Sequence, residues 1–349
     1  WNGAQNIIRA GLASKFFKDR DQLQCMKGNT VLTWDIIGID KETPTDPLLT
    51  HSLTLQLHDC YASMQYDARE AIFVFPDGLT AGAYKFTIGA QPWFAGDVNK
   101  VITFALTQAI PAGGQLVVNN NYNATMEGAT ISSYSDGAST TAIEIVTMSA
   151  GSAGTDLGTV NAVVNENTNS IQRALLGSNN WEKSALRQWL NSDKPAGEVW
   201  NPRTKFDRPP SWTASTAGFL HGLDPEFVSV LGKVKKETAL NTITDGGGKA
   251  ESAERIFLLS RSEVYAGNEV AGGEGEPYPY YANYSDYSAA NTEADTNRIK
   301  YRAEVAQYWW LRSPYVSGAY NVRYINPSGA LASIGATDSI DVAPACVIV

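Results

Sequence analysis

Long apolar runs, basic charge and cysteine are all in short supply in this 349-residue chain. No hydrophobic stretch is long enough to span a bilayer and no signal-peptide pattern opens the chain, so membrane insertion is not expected. The chain starts at Trp1 rather than Met, which leads us to expect an upstream piece. Lys and Arg number 27 against 36 Asp and Glu, a net charge of −9, which argues against nucleic acid or an anionic lipid surface as a partner. The three cysteines, Cys25, Cys60 and Cys346, cannot all pair within one chain, and none sits in a C-x-x-C pair. His51, His58 and His221 alone could complete a zinc set, and the spacing of His58 and Cys60 is too sparse to make one. We therefore expect reduced, structural thiols, with no metal and no cofactor. Catalytic motifs are missing too: there is no nucleophile elbow, no Walker loop and no His-Glu-x-x-His, and Gly246-Gly247-Gly248 lacks the Lys-Ser/Thr that a phosphate loop requires. Asp35, Asp59, Asp67 and Glu70 fall in one region and read as solvated loop carboxylates. The expectation is that the chain is not an enzyme.

What is present changes texture along the chain. Thr30-Val31-Leu32-Thr33-Trp34-Asp35-Ile36-Ile37-Gly38 is a β-branched run, and Ser52 to Leu57 alternates as a half-buried strand does. Asp67 to Ala71 reads as one helical turn. From about Leu79 to Val160, short alternating runs such as Tyr84–Ile88, Val101–Leu106, Gln115–Val118 and Ala142–Val146 are separated by Gly, Pro, Asn and Ser, the pattern of an antiparallel sandwich. Helical spacing returns at Ser170–Leu176 and Asn180–Leu190, where Trp181, Ala185, Leu186 and Trp189 define a core-facing stripe. Asp224-Pro225 is a helix start with Asp224 as N-cap, and Ile256-Phe257-Leu258-Leu259-Ser260 is a short buried strand. The Tyr-rich segment Glu274–Tyr287, with Tyr278, Tyr280, Tyr281, Tyr284 and Tyr287, either extends a binding face or packs over the core.

The last forty or so residues are the most informative. Trp309-Trp310-Leu311-Arg312-Ser313-Pro314 and Pro344-Ala345-Cys346-Val347-Ile348-Val349 are rigid apolar ends, and between Tyr315 and Asp341 there is no Lys, Glu, Gln, Met or Trp. Tyr with Ser, Gly and Asn is the composition of a binding surface: large amphipathic contacts at low entropic cost, with small adaptable polar groups beside them. An ordinary Gly/Ser-rich hairpin would share much of that composition. Asn326-Pro327-Ser328-Gly329 is a turn joining two strands, and Val322 and Val342 are expected to point inward.

This C-terminus resembles the variable proteins of diversity-generating retroelements, which carry a C-type-lectin-type fold. More closely it is similar to a domain of gut bacteria and their phages that ends Trp-Leu-Arg-Ser-Pro … Val-Arg … Gly-Val-x-Pro-Ala. Trp34–Gly38, Asn179-Asn180-Trp181 and Phe257–Ser260 support the same likeness. In such systems an error-prone reverse transcriptase changes adenines in Asn codons, which excludes Lys, Glu, Gln, Met and Trp from the products. The resemblance implies ligand-binding positions at Tyr315, Val316, Ser317, Gly318, Tyr320, Asn321, Tyr324, Ala332, Ser333, Ile334, Gly335, Thr337, Asp338 and Ile340, with Tyr315, Tyr320 and Tyr324 as anchors. Asp341 stands where the family's closing motif has Gly.

The expected fold is α+β: a C-type-lectin-like (formylglycine-generating-enzyme-like) domain at 1–78 and 166–349, with an antiparallel β-sandwich inserted at 79–165 and a variable region at about 315–341. The enzymatic relatives of that fold need a reactive cysteine pair or a copper site, whereas Cys346 lies in an apolar run suited to a buried, inert thiol. The resemblance implies a ligand-binding protein of a phage virion, on tail or capsid, that recognises a host-surface protein or glycan. Its other partners would be virion neighbours and further copies of itself, as in a trimer. A structural virion protein and a bacterial cell-surface adhesin are the alternatives. Asp338 and Asp341 lack the surroundings of a calcium loop, so binding without calcium is expected.

Overall fold

A computed structural model describes residues 1–68, 77–87, 109, 154–159, 177–201, 210–282 and 295–349 with their side chains, together with the backbone of further strands between 73 and 160. The chain opens with helices α1 (Asn2–Arg9) and α2 (Ala13–Phe16). Strands β1 (Gln22–Lys27), β2 (Thr30–Ile39), β3 (Leu53–Leu57) and β4 (Ser63–Gln65) follow. Next come β5 (Phe73–Phe75), β6 (Gly82–Ile88), β7 (Val101–Leu106), β8 (Gly114–Asn119), β9 (Thr130–Tyr134), β10 (Val146–Thr147) and β11 (Thr155–Val160). Helices α3 (Ala185–Leu190) and α4 (Pro225–Val230) precede β12 (Val234–Ala239), β13 (Lys249–Glu254) and β14 (Ile256–Phe257). The C-terminal strands are β15 (Lys300–Arg302), β16 (Val305–Gln307), β17 (Trp309–Pro314), β18 (Asn321–Ile325), β19 (Leu331–Gly335), β20 (Ser339–Asp341) and β21 (Ala345–Ile348).

This corrects the expected α+β, lectin-like class. Strands dominate, in several small and mostly antiparallel sheets, and no α-helix among the described residues exceeds the eight residues of α1. The reason is local. The Asn180–Leu190 segment has helical spacing, but Ser184 sits extended as an N-cap and its side chain accepts from the Arg187 N–H, so only Ala185–Leu190 winds. The inserted module also departs from a purely antiparallel sandwich, because β11 pairs with β6 in parallel. The helix expected at Ser170–Leu176, most of the Asp67–Ala71 turn and most of the Ala142–Val146 run lie outside the described residues.

Two five-stranded sheets carry the rest, in the orders β1-β2-β3-β21-β14 and β19-β18-β17-β20-β4. The last strand of the chain thus pairs with β3, and β20 near the C-terminus takes β4 as its edge partner, so N-terminal strands complete both sheets. Between them the chain leaves at Ala68 and is back at Gly177, and these residues adjoin. A Cβ on Gly177, whose φ is +79°, would lie 3.1 Å from the Ala68 carbonyl oxygen and 3.1 Å from the Ala336 Cβ.

One cluster of buried side chains spans both sheets, and Trp34, Trp181, Trp189, Trp309 and Trp310 are all at most 1% exposed within it. Each such ring removes some 150–250 Å² from water, on the order of 4–6 kcal/mol of gross burial before conformational entropy is subtracted. Cys25, Cys60 and Cys346 are buried free thiols. Burial pushes Cys25 up to about 11 and Cys60 up to about 12, and holds Cys346 well above the ordinary thiol range.

A half-exposed strip on a buried polar frame

The C-terminal strip hangs from β17, every residue of which is buried. The Trp309 indole donates to the Arg298 carbonyl (2.9 Å) and the Trp310 indole to that of Met64 (2.9 Å), so each ring is fixed at both its apolar and polar ends. Arg312 is fully buried. Its guanidinium donates to both oxygens of Glu263 (2.5 and 3.1 Å) and to the carbonyls of Leu258 (2.9 Å), Glu237 (3.1 Å) and Glu274 (2.6 Å).

Glu263 also accepts from Lys236 (2.8 Å), which donates to Glu42 (2.6 Å). The Tyr278 hydroxyl bonds to Glu42 as well. Burial alone would raise the Glu263 carboxyl, but Arg312 and Lys236 outweigh it and hold the group down at about 2. Glu274 behaves in the opposite way. Burial lifts it to about 7, even though Arg312 is near and it bonds to Ser313 Oγ (2.6 Å) and the Ala239 N–H (2.9 Å).

Beyond β17 the chain turns through Tyr315–Tyr320. Asn179 Nδ2 donates to the carbonyls of Gly318 (2.6 Å) and Asn321 (3.0 Å), Asn241 Nδ2 donates to Asn179 Oδ1 (2.8 Å), and the Thr242 N–H donates to Val316 O (2.8 Å). The β18–β19 hairpin follows, closed by Asn326–Gly329. Gly329 has φ +81°, and a Cβ there would meet the Asp295 carbonyl oxygen at 1.9 Å, so only glycine fits.

The positions expected to bind ligand are all exposed or half-buried except Gly335, which is buried, while Ala319, Val322, Ile325, Ala336, Asp341 and Val342 around them are buried. The structure does not bring them to one face. Cross-strand partners share a face, and the ladder pairs Val322 with Ile334 and Tyr324 with Ala332, but Asn321 with Gly335 and Arg323 with Ser333. Tyr324 therefore shares its side with Ala332 and Ile334, and its ring meets exposed Tyr308 edge-on at 5.7 Å. Tyr315 belongs to the other side, where the Arg323 guanidinium lies 4.6 Å from its ring centroid. Two of the three expected anchors thus serve different sides of the ribbon.

Glu269 ties that second side to the frame. Its buried carboxylate accepts from Arg261 (2.9 Å) and from Arg323 (2.5 Å), and its other oxygen accepts from the Val316 N–H (3.4 Å). Asp341 closes the strip differently: it is buried and held by Arg302 through two bonds of 2.6 and 3.0 Å. That bidentate pair explains a carboxylate at the end of the window.

The carboxylates near the N-terminus correct their expected role. Asp35 and Asp67 are buried, Asp59 is exposed, and Glu70 lies outside the described residues. Asp35 accepts from Tyr280 (3.0 Å), Gln22 (3.0 Å) and His58 Nδ1 (2.9 Å), so His58 has a carboxylate partner. No group of three metal-ligating side chains converges among the described residues. Tyr278 and Tyr281 are core residues and Tyr280 is half-buried, which resolves the open reading of that segment toward packing; Tyr284 and Tyr287 lie outside the described residues. Glu263, Lys236, Glu269 and Arg302 were not visible as site residues in the sequence, because partners such as Lys236 and Glu42 lie 194 residues apart.

A family model described as a domain of unknown function, DUF6273, matches residues 157–349. The chain belongs to this family. The DUF6273 region contains the strip and its frame from α3 to β21, whereas β1–β4, which complete both sheets, precede it. No curated protein and no solved structure matches the chain.

Proposed function

We propose that this DUF6273 protein is a binding protein whose C-terminal strip is diversified to recognise a ligand on a host-cell surface, displayed by a phage particle. One observation carries the reading. The fourteen positions that the resemblance names are exposed or half-buried, Gly335 excepted, while Ala319, Val322, Ile325, Ala336, Asp341 and Val342 beside them are buried. Diversification needs that division, because accessible positions tolerate substitution and core positions do not. On the ribbon, half-buried Tyr324 and Ile334 lean on the core beside buried Val322, and Asn321, Ser333 and Tyr315 lie on the other side. Several copies on one particle would convert weak single-site affinity into avidity.

The test is to sequence the 3′ end of the gene across the population that carries it. Changes confined to the named positions between Tyr315 and Asp341, with Trp309, Trp310, Pro344 and Ala345 constant, are expected. Changes spread evenly, or none in that window, would refute the reading and favour a structural virion protein. Binding is expected to survive chelation of calcium, since Asp341 is buried and its charge is paired with Arg302; affinity lost on adding a chelator would count against that.

A further inference from the structure

We propose, resting on the binding function above, that Ile243 is a fixed apolar contact for the ligand of the variable strip and that this ligand is a protein. Ile243 lies on the loop that joins β12 to β13, outside the diversified positions. The loop is shaped by its own bonds. Gly246, Gly247 and Gly248 all have left-handed backbone (φ +81°, +73° and +76°), which turns the chain back on itself. The Gly247 N–H then donates to Asn241 O and the Leu240 N–H to Gly248 O (both 2.9 Å). Buried Asn241 directs the other end. Its Oδ1 accepts from the N–H groups of Ile243 (3.0 Å) and Thr244 (2.7 Å), and its Nδ2 donates to Asp245 (2.8 Å). A side chain carried on backbone held in this way costs little further ordering when a partner covers it.

The same bonds set the loop against the strip. Asn241 Nδ2 also donates to Asn179 Oδ1 (2.8 Å), and Asn179 Nδ2 donates to Gly318 O (2.6 Å) and Asn321 O (3.0 Å). The N–H and the hydroxyl of Thr242 both donate to Val316 O (2.8 and 3.0 Å). Ile243 follows Thr242 directly and is 58% exposed. Thr242 and Ser317 are exposed, and Val316 and Gly318 are half-buried, so accessible surface runs from the loop onto the strip. On the strip side these ties end on main-chain carbonyls. They therefore hold Ile243 in the same place whichever side chains positions 316, 318 and 321 carry.

An isolated exposed isoleucine needs no explanation. One carried on a pre-shaped loop and bonded to a binding strip gives every variant of that strip a common apolar anchor, around which the variable side chains adapt. The chemistry of isoleucine selects the occupant. It has no hydrogen-bonding group and no aromatic face, so it gains only by removing apolar area from water. A saccharide would bring hydroxyls that lose their water against Ile243 and find no replacement bond. A protein surface brings apolar side chains that Ile243 can cover, with polar groups around them for the Ser, Asn and Thr of the strip.

The test is a phage-displayed library of the whole chain, randomised at the exposed and half-buried positions of the strip and selected on hen lysozyme and, separately, on dextran. Binders are expected on lysozyme, and Ile243→Ser should weaken most of them by about tenfold or more. Leu48→Ser, at an 87% exposed side chain on the loop before β3, should leave the same binders unchanged. Ile243→Ser alters an exposed side chain and should keep the melting temperature of wild type, so a loss of affinity reports the contact and not the fold. Lysozyme binders indifferent to Ile243→Ser, binders on dextran alone, or no binders on either would overturn the proposal. The library supplies its own diversity, so an invariant 3′ end across the natural population would refute the diversification reading alone and leave this result standing.

Discussion

Glu274→Gln should flatten the pH dependence of stability between about pH 5 and pH 8. The side chain is fully buried, and burial lifts its carboxyl from 4.5 to about 7 despite Arg312. In that interval the native protein keeps a proton that the unfolded chain has released, so the native state binds more protons and stability falls as pH rises. At about 1.4 kcal/mol per pH unit, the distance from 4.5 to about 7 corresponds to a loss of about 3 kcal/mol, complete once the pH passes the native value. Glutamine reproduces the protonated form, its oxygen accepting from the Ala239 N–H (2.9 Å) and its amide donating to Ser313 Oγ (2.6 Å). Glu263 works in the other direction. Held down at about 2, it contributes stability above the ordinary carboxylate range that is lost as pH falls toward 2. Glu269 and Lys236 complete the charges around this frame. Urea unfolding at pH 5, 6, 7 and 8 should show the wild type losing stability across the series and Glu274→Gln holding steady, the two curves meeting at the acid end. Parallel profiles would refute the assignment of that proton to Glu274.

Arg312→Ala should cost about 3–5 kcal/mol, because it removes the buried guanidinium's bonds to Glu263 and to three carbonyls, and a chain that unfolds at an unchanged urea midpoint would contradict this. A substitution scan of the strip should find Ser333→Ala and Ala332→Ser within about 0.5 kcal/mol of wild type, while Ile325→Ala costs about 2–5 kcal/mol; equal sensitivity at both sets would remove the basis for diversification. Replacing residues 69–176 by a short Gly/Ser linker should preserve cooperative unfolding, since Ala68 and Gly177 adjoin, whereas the family-matched segment 157–349 alone, without β1–β4, should not unfold cooperatively. Circular dichroism melts of both proteins check this, and failure of the first to fold would mean that the inserted segment supports the two large sheets.

Local signals were legible from the residues and distant ones were not. The Asp224 cap is present, with its carboxylate accepting from the Glu226 N–H (2.9 Å). The Asn326–Gly329 turn, the buried Trp181–Trp189 stripe and the inward Val322 and Val342 also follow from neighbours within a few positions. The α+β class came from the likeness of the C-terminus and overstated the helices: the helical spacing at Asn180–Leu190 winds only over Ala185–Leu190, where tertiary partners take the first donors. The Ala185 N–H, for instance, donates to Asp67 (3.3 Å), and Leu186 N–H to Tyr66 O (3.0 Å). Asp35 looked solvated because its hydrogen-bond partner Tyr280 lies 245 residues away. No pattern of spacing can announce such a bond.

On the proposed reading one stretch of chain varies while the fold stays constant, and the same distances say how it would do so. The strip is anchored chiefly through main-chain atoms: Asn179 holds the carbonyls of Gly318 and Asn321, Thr242 holds that of Val316, and the Ala336 N–H donates to Tyr320 O (3.0 Å). Bonds to main-chain atoms persist whatever side chain the position carries. The side-chain anchors instead come from residues outside the variable set, namely Arg312, Arg323, Asp341 and Trp309–Trp310, and their partners Glu263, Glu269 and Arg302 all precede Tyr315 in the chain. Tyr315 is the exception, since its ring lies against Arg323 and a change there removes a contact worth about 0.5–1 kcal/mol. On the proposed reading, recognition would fall to the half-exposed side chains and stability to main-chain and buried contacts, so the surface would change without drawing on the contacts that keep it in place.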